Sequence, residues 1–130
     1  MIVGIGTDIV QIRRIELSIR RWGDKFLNRI FTETERKTAE KLSAEPRMAY
    51  YAKRFAAKEA FSKALGTGIG SLSAWTEIEV VRGESGEPIL NITGRTAETL
   101  KQRAGSNAKV HISLSDDDAA TAFVIIENNK

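Results

Sequence analysis

The sequence predicts a single α+β domain over residues 1–130, with helices packed on a mostly antiparallel β-sheet in the order β-ααα-ββ-α-ββ. Three observations lead there. A β-rich run with two glycines opens the chain, helical periodicity fills most of the stretch up to about residue 70, and from Ser71 the pattern alternates in two hairpin-like pairs separated by one more helix. Strands that arrive as hairpins pair antiparallel, and helices kept apart from them in the chain stack on one face of the sheet.

The opening strand is Ile2-Val3-Gly4-Ile5-Gly6-Thr7-Asp8-Ile9-Val10, whose glycines admit another backbone or a ligand at close range. Asp8 is expected to open the first helix through Asp8-x-x-Gln11, a variant of the capping box. Ile12, Ile15 and Ile19 form the apolar stripe of that helix, and Arg13, Arg14, Arg20 and Arg21 occupy its other faces. After Gly23, the residues Phe26, Leu27, Ile30 and Phe31 predict a short helix bearing Lys25 and Arg29. Thr32-Glu33-Thr34-Glu35 is a capping box that starts a helix running to about Leu42. Pro46 suits the first turn of a long helix ending at Leu65, with Gly66 as its left-handed stop.

In the second half, 75–81 and 88–92 flank Gly83-Glu84-Ser85-Gly86-Glu87 as a hairpin, and Thr93 or Gly94 begins a helix through Arg103. A second hairpin joins 109–115 to 119–127 around Asp116-Asp117-Asp118. Within it, Ala122-Phe123-Val124-Ile125-Ile126 is apolar on both faces, which puts it either in the middle of a sheet or at a subunit contact.

A chain of this length buries roughly two thirds of its unfolded surface without covalent staples. There is no cysteine, and His111 is the only histidine, so a disulfide scaffold is excluded and a structural zinc site is disfavoured. The absence of thiols fits a reducing cytoplasm. The apolar start carries Asp8 and no basic flank, and reads as neither a signal peptide nor a membrane span. The net charge of +3 conceals an asymmetry: residues 11 to 63 hold fourteen Lys/Arg against seven Asp/Glu, and the remainder six against ten. The first half therefore presents a cationic surface suited to an anionic partner.

The strongest candidate site lies in Arg54 to Gly70, RFAAKEAFSKALGTGIG. Helical spacing sets Arg54 beside Lys58 and Glu59 beside Lys63. The alanines keep the helix narrow. Gly66-Thr67-Gly68-Ile69-Gly70 then leaves backbone N–H groups uncovered by side chains, an arrangement that suits a phosphate chain. Taken singly, Glu59 and Lys63 are an ordinary surface pair, and the glycines lack both the preceding strand of a dinucleotide fingerprint and the Lys-Ser/Thr of a P-loop. Together, three cations, one carboxylate and a bare loop point to an anionic ligand with a metal.

With Gly6-x-Asp8 and Arg54-Phe55-Ala56-x-Lys58-Glu59-Ala60-x-x-Lys63, the chain resembles the holo-acyl-carrier-protein synthases, the small phosphopantetheinyl transferases. The likeness continues through Gly66–Gly70 to Val110-His111-Ile112-Ser113-Leu114 and Val124-Ile125-Ile126-Glu127. It implies the phosphopantetheinyl transferase-like fold and transfer of 4′-phosphopantetheine from coenzyme A to a serine of apo acyl carrier protein, releasing adenosine 3′,5′-bisphosphate. It also implies Mg²⁺, a role in fatty acid biosynthesis, and a homotrimer with active sites between subunits. On the same basis Asp8 and Glu59 are the metal ligands and, with Lys63, the catalytic set. Arg54, Lys58, Gly66, Thr67, Gly68, Ile69, Gly70, Pro88 and His111 are carried over to the coenzyme site. The arginines of the first helix, with Lys25 and Arg29, face the carrier. One departure stands out: Asp116, followed by Asp117, occupies the place after the Ser-Leu-Ser run where many relatives carry a histidine. A histidine base is therefore not carried over, and the general base is left unassigned.

Two readings from other classes use the same charges. A nucleic-acid-binding module would add exposed stacking aromatics or a reading helix beside the arginines. A non-catalytic interaction module would use the basic helix alone and have no need of Asp8 and Glu59 together. The expected partners are accordingly coenzyme A and a carrier protein, with neither nucleic acid nor membrane.

Overall fold

The computed structural model describes residues 1–128. Strand β1 (Ile2–Gln11) is followed by helices α1 (Ile12–Trp22), α2 (Asp24–Ile30), α3 (Glu33–Glu40) and α4 (Ala44–Leu65). A 3-10 turn (Trp75–Glu77), strands β2 (Ile78–Arg82) and β3 (Pro88–Ile92), helix α5 (Gly94–Ala104), and strands β4 (Ala108–Asp116) and β5 (Ala119–Asn128) complete the order. Both hairpins and the α+β class agree with expectation. The first helical block holds four helices, the short one expected after Gly23 among them, one more than the order β-ααα-ββ-α-ββ counts.

The expected single sheet divides in two: β1-β5-β4, antiparallel throughout, and the separate hairpin β2-β3. Strand β5 lies in the middle of the larger sheet. Its inner face, Ala120, Ala122, Val124 and Ile126, is buried against α4. The outer face stays open, with Ile5 and Ile9 of β1 at 57% and 69% exposure and Phe123 of β5 at 43%.

Helix α4, about 33 Å long by its 22 residues, runs through the centre of the molecule. Ala52, Ala56, Ala57, Ala60 and Ala64 give it a slim profile, and all five are buried. Gly4 and Gly6 of β1 complete the fit, since a methyl group on either would overlap the carbonyl oxygen of Ala64 or Ala60 respectively. Two strand residues advance about 6.7 Å and four helical residues about 6 Å, so strand and helix run in step at these two points. The close backbone approach expected of the two glycines is thus to α4. Phe31 and Phe61 are fully buried in the surrounding core, each contributing about 2 to 3 kcal/mol of apolar burial.

Local signals account for several boundaries. Thr32 and Glu35 form the reciprocal capping box of α3, and Gly66 ends α4 at φ 86°. The expected cap by Asp8 is not found: β1 continues to Gln11, which precedes α1 without a side-chain capping bond. Pairing with β5 out to Gln11↔Ala119 holds Asp8 in extended backbone, three residues too early to cap.

Candidate active site

Asp8 follows Gly4 and Gly6 on the face of β1 that meets α4, and its partly buried carboxylate lies against the last turns of that helix. Lys63 Nζ donates to Asp8 Oδ1 at 3.1 Å and to the Thr7 carbonyl at 3.0 Å. Sequence spacing expected Lys63 to pair along the helix with Glu59; instead its ion pair crosses to the strand. Glu59 makes no side-chain hydrogen bond among the described residues, and burial raises its pKa above the ordinary glutamate value. The nearby Asp8 charge adds to that rise, while Lys63 and Arg14 oppose it. Two carboxylates and a lysine from elements distant in sequence therefore share one small, partly shielded region.

This donor set fits one kind of metal and not another. No group of three or more His, Asp or Glu able to hold a metal occurs among the described residues, so an all-protein cage is not built. Mg²⁺ takes one or two carboxylates and fills its other positions with water and substrate phosphate. Asp8 and Glu59 supply hard oxygens of that number, and Lys63 offers a cation for an adjacent phosphate.

The other two cations of the motif are placed differently from expectation. Lys58, read as a phosphate ligand, is wholly buried, and its Nζ donates to Glu35 Oε1 at 2.7 Å, to the Ile30 carbonyl at 2.8 Å and to the Trp75 carbonyl at 3.0 Å. Its three protons have three partners, so the ammonium has no donor left for a coenzyme. Arg54 is also buried, with its guanidinium carbon 3.8 Å from the centre of the Tyr50 ring. Unlike Lys58, it leaves a polar atom, Nε, buried without a hydrogen-bond partner. Desolvation lowers its pKa, an effect the neighbouring Tyr50 and Glu35 partly offset. Both cations are interior because other elements pack around α4, which helical spacing alone does not reveal.

The glycine loop is another correction. The N–H groups of Gly66, Thr67 and Gly68 all donate to the Ser62 carbonyl, at 3.0, 3.1 and 3.2 Å, and that of Gly70 donates to Ser73 at 2.9 Å. The loop spends these donors on closing α4. Among the described residues, the Ile69 N–H is the loop amide that keeps no such partner. Arg103 of α5 reaches the same corner, donating to the Leu65 carbonyl at 3.3 Å.

Pro88 opens β3 opposite Arg82, half-buried and in the smaller sheet. His111 is exposed on β4, its Nε2 2.9 Å from Glu127 Oε1 on β5. The imidazole holds the Glu127 carboxyl below its ordinary value. Asp116 forms an ion pair with Lys53 of α4 at 3.0 Å. It ties the end of β4 to the central helix.

Arg13, Arg14, Arg20 and Arg21 are all exposed on α1. Arg20 faces Glu16 at 3.6 Å, and Arg21 lies over Trp22 at 5.0 Å. Lys25 and Arg29 line a groove of about 520 Å³ between α1, α2 and the 3-10 turn, whose apolar wall includes Trp22, Phe26 and Trp75. Sequence reasoning missed the groove, since Trp75 read as part of a strand; its 22-to-75 separation left no local signal.

The 4′-phosphopantetheinyl transferase superfamily model matches residues 4–124. A holo-[acyl-carrier-protein] synthase of Brucella ovis is 48% identical over 130 residues, covering 98% of this chain and 96% of the relative. Among solved structures, a holo-(acyl-carrier-protein) synthase from Bacillus anthracis in complex with CoA (3′,5′-ADP) superposes with a TM-score of 0.83 at 41% identity, covering 99% of each chain. The holo-[acyl-carrier-protein] synthase from Neisseria meningitidis gives a TM-score of 0.88 at 37% identity, over 98% of this chain and 99% of the other.

Proposed function

The chain belongs to the 4′-phosphopantetheinyl transferase superfamily, and we propose from that membership that it transfers 4′-phosphopantetheine from coenzyme A to a serine of an apo acyl carrier protein. The observation that carries this reading to particular residues is Lys63 bonded to Asp8 beside Glu59. In the reaction the serine oxygen attacks the β-phosphorus of coenzyme A. The pyrophosphate P–O bond breaks, and adenosine 3′,5′-bisphosphate leaves.

Asp8 and Glu59 would hold Mg²⁺, which supplies neutralisation of pyrophosphate charge when bound. Lys63, half-exposed and anchored on Asp8 and Thr7, presents a fixed positive charge to the phosphates. Arg54, with its buried unpaired Nε, is assigned to the coenzyme's remaining phosphate charge. The exposed basic residues of α1, with Lys25 and Arg29, are assigned to the acidic surface of the carrier, where they raise the encounter rate.

The open outer face of the β1-β5-β4 sheet supports assembly. Ile5, Ile9 and Phe123 lie on one side of it, with Thr7 between the two isoleucines, an exposed and mainly apolar face of the kind that a partner subunit covers. We assign that face to a homotrimer in which sites lie between subunits, and His111 and Pro88 to the coenzyme across such an interface. No helix among the described residues is long and apolar enough to cross a membrane; the cysteine-free composition supports a cytoplasmic setting, and carrier activation a role in fatty acid synthesis.

Intact-mass spectrometry of an apo carrier protein incubated with this protein, coenzyme A and Mg²⁺ tests the reading. The expected result is a gain of one phosphopantetheine; an unchanged carrier mass overturns it.

A further inference from the structure

The groove beside α1 and the buried Lys58 are joined by a set of hydrogen bonds. Lys58 Nζ is wholly buried and donates to two backbone carbonyls, those of Ile30 and Trp75. Each belongs to a residue lining the groove. Ile30 ends the helix that carries Lys25, Phe26 and Arg29, so its carbonyl fixes one wall; Trp75 is the opposite wall. The third proton goes to Glu35, which is itself 1% exposed. Glu35 Oε1 also accepts from Thr32 N at 2.9 Å, and its Oε2 from Val80 N at 2.8 Å.

One lysine on α4 thus gathers the end of α2, the start of α3 and the 3-10 turn, and Glu35 extends the hold to β2. Phe55, one turn before Glu59 on the same helix, stacks on Trp75 with centroids 5.1 Å apart. Arg14 of α1, close enough for its charge to act on Glu59, lies one turn from Ser18, which lines the groove. The groove therefore lies along α1 and α2, beginning at Ser18, one turn beyond the arginine whose charge acts on Glu59.

We infer that Lys58 and Glu35 are positioning residues for the carrier substrate: they set the separation of the groove walls that receive it, and they make no contact with coenzyme A. This rests on the transferase reading above. A fully satisfied buried network holds a single geometry where packing alone tolerates shifts. Loosening it should spread the wall carrying Lys25 and Arg29 from the wall carrying Trp75.

The test is the double variant Lys58→Met with Glu35→Gln, which removes both charges at nearly constant volume. Lys58→Met alone leaves a buried unpaired carboxylate and is expected to fold poorly. With each substrate varied in turn, the double variant should raise KM for the carrier about tenfold while KM for coenzyme A and kcat stay within about twofold. Glu35→Gln alone keeps an oxygen acceptor for Lys58, whose pKa burial already lowers so that it can shed its proton instead of staying an unpaired charge; it should give the same split in smaller degree, and it is read alone if the double variant does not fold. A rise in KM for coenzyme A instead returns Lys58 to the coenzyme and overturns the inference. A fall in melting temperature with neither KM changed reduces the pair to a structural role and overturns it equally. Acrylamide quenching of Trp75 in a Trp22→Phe background supplies a readout independent of turnover, and quenching should increase when the network is removed. If the unaltered protein transfers nothing, the transferase reading fails, while the quenching result still supports or sinks the wall-setting role.

Discussion

Lys63 reaches from the final turn of α4 to Asp8 on β1, a contact of 3.1 Å between residues 55 positions apart. The same ammonium takes the neighbouring Thr7 carbonyl. Because its side chain is half-exposed, the pair contributes little to stability, about 0 to 1 kcal/mol. Its consequence is positional: a cation is held beside two carboxylates and pointed toward solvent, where a phosphate can meet it.

Removing any of the three groups should therefore cost activity and spare the fold. Asp8→Ala, Glu59→Ala and Lys63→Met are each expected to lower kcat by about 100-fold or more. Far-UV circular dichroism should be unchanged, including for Asp8→Ala, since Asp8 caps no helix. Near-normal turnover in one of them removes that residue from the catalytic set.

Gly6→Ala should do the opposite. The added methyl overlaps the Ala60 carbonyl, a backbone atom that cannot swing aside. A loss of about 3 kcal/mol or more is expected in chemical denaturation. A variant as stable as the parent would show that β1 can move away from α4.

The basic face of α1 should act through long-range attraction. Arg14→Glu combined with Arg21→Glu should raise KM for the carrier severalfold and leave KM for coenzyme A nearly unchanged. The dependence on salt should weaken as well, since screening acts over about 8 Å at physiological ionic strength. Kinetics at two salt concentrations decide it: unchanged carrier KM and salt response move the docking surface elsewhere.

Glu77 predicts an acid-sensitive element. Its carboxylate accepts from the backbone N–H groups of Arg95 and Thr96 and from the Thr96 hydroxyl, capping α5 from outside the helix. Those bonds hold its pKa below the ordinary 4.5. A depressed folded pKa means that the contribution is present above the unfolded value and is lost as pH falls through the folded one. Glu77→Gln should cost about 1 kcal/mol at neutral pH, and the difference from the parent should shrink below about pH 4.5. Equal melting temperatures at pH 7 would refute the cap.

For assembly, sedimentation equilibrium should give three times the 14.4 kDa chain mass. Phe123→Asp, placed on the open sheet face, should yield a folded monomer with little activity. A monomeric parent that stays active at high dilution rules out sites shared between subunits.

Much of this architecture was legible because its signals are local. Thr32 and Glu35 lie three apart, Gly66 directly follows the residue it caps, and each hairpin is bounded by its own turn residues. The two glycines of β1 correctly announced a close approach, though not its partner. Reading failed where a tertiary neighbour decides. Arg54 and Lys58 look like an exposed pair until elements from elsewhere in the chain enclose α4, and Glu35 showed its capping role while concealing its bond to Lys58, 23 residues away. The loop amides were predicted free because nothing in Gly66–Gly70 says that Ser62 will accept three of them. Glu77 caps a helix 18 residues further on, beyond the reach of any capping pattern.

The contact of Gly4 and Gly6 with α4 bears on how this molecule can drift. Reacting groups on separate elements are usually held apart by intervening side chains, whose rotamers and volumes change with each substitution. Here the spacer between strand and helix is peptide against peptide. Exchange of one aliphatic residue for another in the surrounding core can soften or stiffen the protein without altering the span from Asp8 to Lys63. Melting temperature and site geometry are therefore free to vary independently across many generations of core replacement, so long as two positions never acquire a side chain.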